Sequence, residues 1–188
     1  MKNRKYTLVT LGIVSLLLTG CAAAANPGVG NSQPSLTATP TASAGPSEAS
    51  LMVCGDQPKD RLKAILDLET APHTVNDWAN STFTCTYHLE QGALIISVKE
   101  AADQASALTY FDVEQALAKD AKAIEGLANL GFPAYETADG SSVFQKDSFV
   151  LKVDASHLPA TIGPDNITRN ALAYQLSTTI LACWVEHH

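Results

Sequence analysis

A break in composition at residue 51 decides how much of this chain can fold. Residues 22–50 (AAAANPGVGNSQPSLTATPTASAGPSEAS) are mostly Ala, Ser, Thr, Pro and Gly, with no aromatic residue and a single charge, Glu48. Such a segment cannot bury enough apolar surface to offset the entropy of ordering it, so disorder is expected. As a flexible coil its 29 residues would span about 30 Å, which makes it a tether. Its TATPT stretch (37–41) also suits O-glycosylation, with a plain spacer the simpler reading. What remains for folding is residues 51–188, enough chain for one ordinary domain with its own core.

Ahead of the tether stand three bases, Lys2, Arg4 and Lys5, and then an apolar run from Tyr6 to Leu18. A helix crossing the hydrocarbon core needs about 20 apolar residues, so this run is too short to be a span. A basic start, a short apolar centre and small residues before a cut form the pattern of a secretory signal. Leu18-Thr19-Gly20-Cys21 resembles the bacterial lipobox. The motif implies a diacylglycerol joined to the Cys21 sulfur and cleavage just before it, so 1–20 is read as signal peptide and 21–50 as lipidated cysteine plus tether. A single acyl chain holds a protein weakly, whereas two or three give lasting attachment. The expected location is therefore the extracytoplasmic face of the cell membrane, with the membrane itself as first partner. Ala22, not Asp, follows the cysteine, which in a two-membrane envelope favours outer-membrane sorting.

Loss of the three leading bases takes the formal charge from −7 to −10. An acidic domain without a basic cluster is repelled by phosphates, so nucleic acid is not an expected partner. Cys54, Cys85 and Cys183 remain. Outside the membrane disulfides form and persist, but an odd count leaves one thiol over. Cys54–Cys85 is the favoured bridge and Cys54–Cys183 the second. Cys183 lies seven residues after Leu176 and three after Ile180, on an apolar helical stripe where a thiol behaves as a small hydrophobe.

Periodicity supplies the fold class. Pro58–Leu68 has helical spacing with Pro in the first turn. Thr82–Leu89 alternates Phe83, Cys85, Tyr87 and Leu89; after Glu90-Gln91-Gly92, Leu94, Ile96 and Val98 alternate again, predicting an antiparallel hairpin over 82–99. Residues 101–123 read as an amphipathic helix. Asp139-Gly140 and Lys146-Asp147 then punctuate three short strands, and Pro164–Val185 reads as a long apolar helix. The expected order is helix, two strands, helix, three strands, helix: an α+β domain with an antiparallel sheet of about five strands under three helices.

Cys54 just past a low-complexity linker, Trp78, and Cys85-Thr86-Tyr87 in a strand together resemble small actinobacterial cell-envelope lipoproteins of unknown function. Leu130-Gly131-Phe132-Pro133-Ala134-Tyr135 is similar to their leucine-glycine-aspartate-x-alanine-tyrosine stretch, with Phe132 in place of the aspartate. The resemblance implies an exported envelope role, pairs Cys54 with Cys85 and brings no catalytic residues. A broader similarity is to the fold of the photosystem accessory protein PsbP and its relatives.

Little in the chain points to chemistry. A zinc site needs three or four converging ligands, and none of His73, His88, His157, His187 and His188 has a helical partner three or four residues away. They are read as surface histidines, and no metal or cofactor is expected. There is no G-x-S-x-G elbow, and Gly126–Gly131 reads as helix capping, not a phosphate loop. Catalytic residues are therefore assigned as none. Trp184 reads as core. Trp78, in the polar stretch HTVNDWANST, reads as a loop residue that contacts a partner. The function expected first is non-catalytic binding of an envelope protein or cell-wall component. The second is a carrier or sensor for a small apolar ligand held between the sheet and the C-terminal helix.

Overall fold

The computed structural model describes residues 45–186. Residues 1–44, with the expected signal peptide, Cys21 and most of the expected tether, and His187-His188 lie outside the described residues.

Seven strands, β1 (His73–Ala79), β2 (Thr82–Leu89), β3 (Gly92–Glu100), β4 (Lys122–Ala123), β5 (Ala134–Glu136), β6 (Ser141–Lys146) and β7 (Phe149–Asp154), form one antiparallel sheet ordered β1-β2-β3-β7-β6-β5-β4. A separate two-stranded ribbon joins β8 (Thr161–Ile162) to β9 (Ile167–Thr168). The helices are α1 (Glu48–Leu51), α2 (Asp56–Leu66), α3 (Gln104–Leu117) and α4 (Arg169–Glu186), with 3-10 turns at Met52–Cys54 and Gly126–Asn129. This is an α+β domain. Among the described residues no helix is long and apolar enough to cross a membrane.

Directly opposed residues of an antiparallel pair share a face, so the register sorts the sheet. Phe83, Cys85 and Tyr87 stand opposite Val98, Ile96 and Leu94. Ile96 and Val98 stand opposite Val153 and Leu151, and Leu151 opposite Phe144. These residues form one almost fully buried face. It is covered by α4, with α2 packed beside it. Leu172, Leu176, Ile180, Leu181 and Trp184 of α4 meet it, each at most 2% exposed. On the other face α3 lays Ala107 and Phe111 over Tyr135, Val143 and Val150 of β5, β6 and β7. Asp103 caps α3, its carboxylate accepting from the Ser106 amide at 2.7 Å, and this bond holds the Asp103 carboxyl below its usual range.

The sequence-based expectations need five corrections. The strands of the main sheet number seven: β1 falls where the sequence predicts a loop and β4 within the helix predicted over 101–123. Trp78 therefore lies in a strand, which turns back to β2 through Asn80 and Ser81, both in left-handed conformation (φ 52° and 55°). The last helix begins at Arg169, not Pro164, because β8 and β9 occupy the residues before it. Finally, the folded part starts earlier than 51. Ser47 caps α1, Ala49 and Ser50 are buried, and the Ser50 hydroxyl donates to Glu100 Oε1 at 2.6 Å. Gly126 and Gly131 are not caps of α3, which ends at Leu117.

Candidate functional site

Helix α3 is 14 residues long and covers only the β5–β7 side of its face. The other half, on β1, β2 and β3, carries Val75 and Asp77, Thr84 and Thr86, and Ile95 and Ser97, all exposed or half-buried. Val75 is 52% exposed. Of α3, Tyr110 and Glu114 stand beside Ser97 and Lys99 of β3, and Leu117, 78% exposed, stands beside Lys152 and Asp154 of β7. Lys99 closes the corner: its Nζ lies 5.7 Å from the centre of the Tyr110 ring, and it donates to the Asn80 carbonyl. Burial first, then the Glu114 carboxylate, push the Tyr110 hydroxyl above its ordinary pKa. The result is a flat hydroxyl-rich strand surface with α3 along one side.

Trp78 stands opposite Phe83, on the helix-covered face, and is half-buried against the core at the β1 edge of the sheet. Its indole thus shields the core's margin and keeps a partly exposed rim beside the edge strand. Next to it, Asn76 opposes Cys85. Cys85 is bonded to Cys54, with S–S 1.98 Å and Cα–Cα 5.5 Å, which ties the 3-10 turn before α2 to β2. Cys183 is buried, its thiol donating to the Thr179 carbonyl at 3.0 Å and to Gln57 Oε1. Trp184 is 1% exposed, and its Nε1 donates to the Ala49 carbonyl at 3.0 Å. Cys21 lies outside the described residues.

A hollow of about 250 Å³ opens beside the C-terminal end of α3, lined by Glu114, Lys119, Tyr135, Thr137, Asp139 and Lys152 among others. Burial, with smaller contributions from Glu114 and Tyr110, pushes the Tyr135 hydroxyl up to about 12. The Thr137 hydroxyl donates to Asp139 at 2.5 Å and accepts from the Ser141 amide at 3.1 Å, turn contacts that lead into β6. Burial alone would raise the Asp154 carboxyl. The Ser156 hydrogen bond and Lys152, at 3.5 Å, overcome that and hold it low. Thr137 and Asp139 are thus engaged in turn contacts, and Asp154 in a turn contact and an ion pair with Lys152.

One juxtaposition was invisible in the sequence. His73 on β1 lies directly opposite His88 on β2, with ring centres 5.6 Å apart and planes tilted by 38°. Both rings are exposed, at the end of the open face, and line a hollow of about 280 Å³ with Glu69 and Glu90. Reading β1 as a loop concealed the pair. The available signal was the Asn80-Ser81 turn between Ala79 and Thr82, weaker than Asn-Gly but compatible with a two-residue hairpin.

Compared with protein-family models, curated proteins and solved structures, the chain matches none.

Proposed function

We propose that this chain is an extracytoplasmic lipoprotein, held on the membrane through an acylated Cys21, whose domain binds an envelope protein or cell-wall component without catalysing a reaction. The observation that carries the binding role is the uncovered half of the sheet. Seven residues of β1 form an edge strand, and beside it β2 and β3 present Thr84, Thr86, Ile95 and Ser97 with only the flank of α3 for cover. An edge strand offers unpaired backbone groups, and β1 carries no Lys or Pro to blunt it. Val75 on that face and Leu117 on α3, both exposed, supply apolar contact that complements those polar groups. The exposed rim of Trp78 lies at the same edge. The lipobox residues Leu18-Thr19-Gly20-Cys21 support the anchor, and the long uncharged tether supports presentation away from the bilayer.

Photo-crosslinking in intact cells tests both halves of the reading. A crosslinker at position 75 or 86 is expected to trap one defined partner, and one at Leu130, which is 50% exposed at a distant turn, is expected to trap nothing specific. Cys21→Ser is expected to leave the precursor uncut and unlipidated. Indistinguishable crosslinking from positions 75 and 130 rejects the binding face, and a mature-sized, detergent-partitioning Cys21→Ser protein rejects the anchor.

A further inference from the structure

From the placement of His73 and His88 we infer that the β1–β2 ribbon is an exchangeable binding site for a divalent transition-metal ion of the zinc, copper or nickel type. The two residues are exact partners in the register, so both imidazoles rise from the same face of adjacent strands. Their geometry is close to that of a chelate. A zinc–nitrogen bond is about 2.0–2.1 Å and a ring centre lies about 1.1 Å beyond its nitrogen, so two imidazoles on one tetrahedral ion have centres about 5 Å apart. Here the centres are 5.6 Å apart and the planes are tilted, not stacked. A small rotation of two exposed side chains closes the difference without moving the backbone.

The surroundings complete the chemistry. Glu69 and Glu90 line the same hollow of about 280 Å³, and neither lysine nor arginine does. Among the described residues no three His, Cys, Asp or Glu side chains already stand around one point. The protein therefore supplies two nitrogens, and water or one of these carboxylates takes the remaining positions. Such a site is open, in contrast to the closed four-ligand sets of structural zinc. Neutral imidazole selects zinc, copper and nickel over magnesium and calcium, and copper binds most tightly in the usual order. The inference stands apart from the partner-binding proposal: it needs the hairpin alone.

The test is titration of the full chain, carrying His187→Ala and His188→Ala to remove the terminal histidine pair, with Zn²⁺ and separately with Mg²⁺. Calorimetry is expected to find one Zn²⁺ per chain. His73→Ala and His88→Ala should each weaken it by at least about tenfold, since either change leaves a single protein nitrogen. In the chain that keeps both residues, the ring signals of His73 and His88 should move together on adding Zn²⁺ and stay in place on adding Mg²⁺, a measurement that does not depend on the variants folding. Unchanged affinity in folded single variants, ring signals that do not move together, or equal responses to Mg²⁺ would each overturn the site. So would one Zn²⁺ per two chains.

Discussion

The Trp184 indole donates to the carbonyl of Ala49 across a sequence separation of 135 residues, joining the last helix to the first turn of the fold. A second tie lies close by in sequence: Glu100 Oε1, at the end of β3, accepts from the Ser47 amide at 2.8 Å and the Ser50 hydroxyl at 2.6 Å. Both ties use residues that composition assigned to the tether. A chain starting at residue 51 loses them and leaves a buried indole N–H unpaired. It should be less stable than one starting at residue 45 by about 2–4 kcal/mol, since bonds to charged groups and orphaned buried donors each carry about 1–3 kcal/mol. Urea denaturation of the two chains checks this, and equal midpoints would show that the first turn contributes nothing.

The Cys54–Cys85 bridge closes a long loop early in the chain, with a sequence separation of 31. In the chain-entropy account such a crosslink contributes about 3–4 kcal/mol. Replacing both cysteines by serine should lower stability by about that amount, and non-reducing peptide maps of the unmodified protein should show the 54–85 pair. Cys183, 4% exposed, should alkylate only after denaturation. Rapid labelling in the native protein would mean that the end of α4 opens.

How well each element could be read from sequence followed from how its faces are covered. In β2 Phe83, Cys85 and Tyr87 are buried, and in β3 Leu94, Ile96 and Val98, with half-exposed residues between them, so period-two alternation stands out. In β6 all six residues of SSVFQK are buried, because α4 covers one face and α3 the other. Alternation vanishes there, and only the flanking turns marked the strand. The edge strand β1 fails differently. Its helix-side residues are Thr74, Asn76 and Trp78, so the face turned to the core reads as polar. With β1 read as loop, two histidines 15 positions apart had no reason to meet. The burial of Cys85, Trp184 and Cys183 was accessible because strand alternation and helix periodicity placed each of them.

Tyr87 is fully buried and its hydroxyl donates to the Val53 carbonyl at 2.5 Å; burial raises its pKa well above the ordinary 10. The folded state therefore keeps this proton at pH values where the unfolded chain has lost it. Ionisation of Tyr87 leaves stability unchanged below about pH 10, and stability falls as the pH rises beyond that point. Tyr87→Phe should cost about 1–2 kcal/mol at neutral pH, through the unpaired Val53 carbonyl, and should flatten the alkaline decline. Parallel declines in the two proteins between pH 9 and 11 would mean that Tyr87 does not govern it.

Val75 and Trp78 lie on the same strand but face opposite sides of the sheet, and that separates a binding role from a structural one. Trp78 packs on the core margin opposite Phe83, so Trp78→Ala should cost about 1–3 kcal/mol, less than a fully buried tryptophan because part of the ring is already in water. Val75, 52% exposed on the open face, should accept Val75→Arg within about 0.5 kcal/mol. Partner capture should show the reverse order: Val75→Arg places a charge on the contact face and abolishes it, whereas Trp78→Phe, which keeps an aromatic ring on the core, retains it. Thermal melts and crosslinking yields on the same three proteins decide the matter. Undiminished capture by Val75→Arg would reject the open face as the contact. Loss of capture in a stable Trp78→Phe protein would move the contact onto the edge strand's indole.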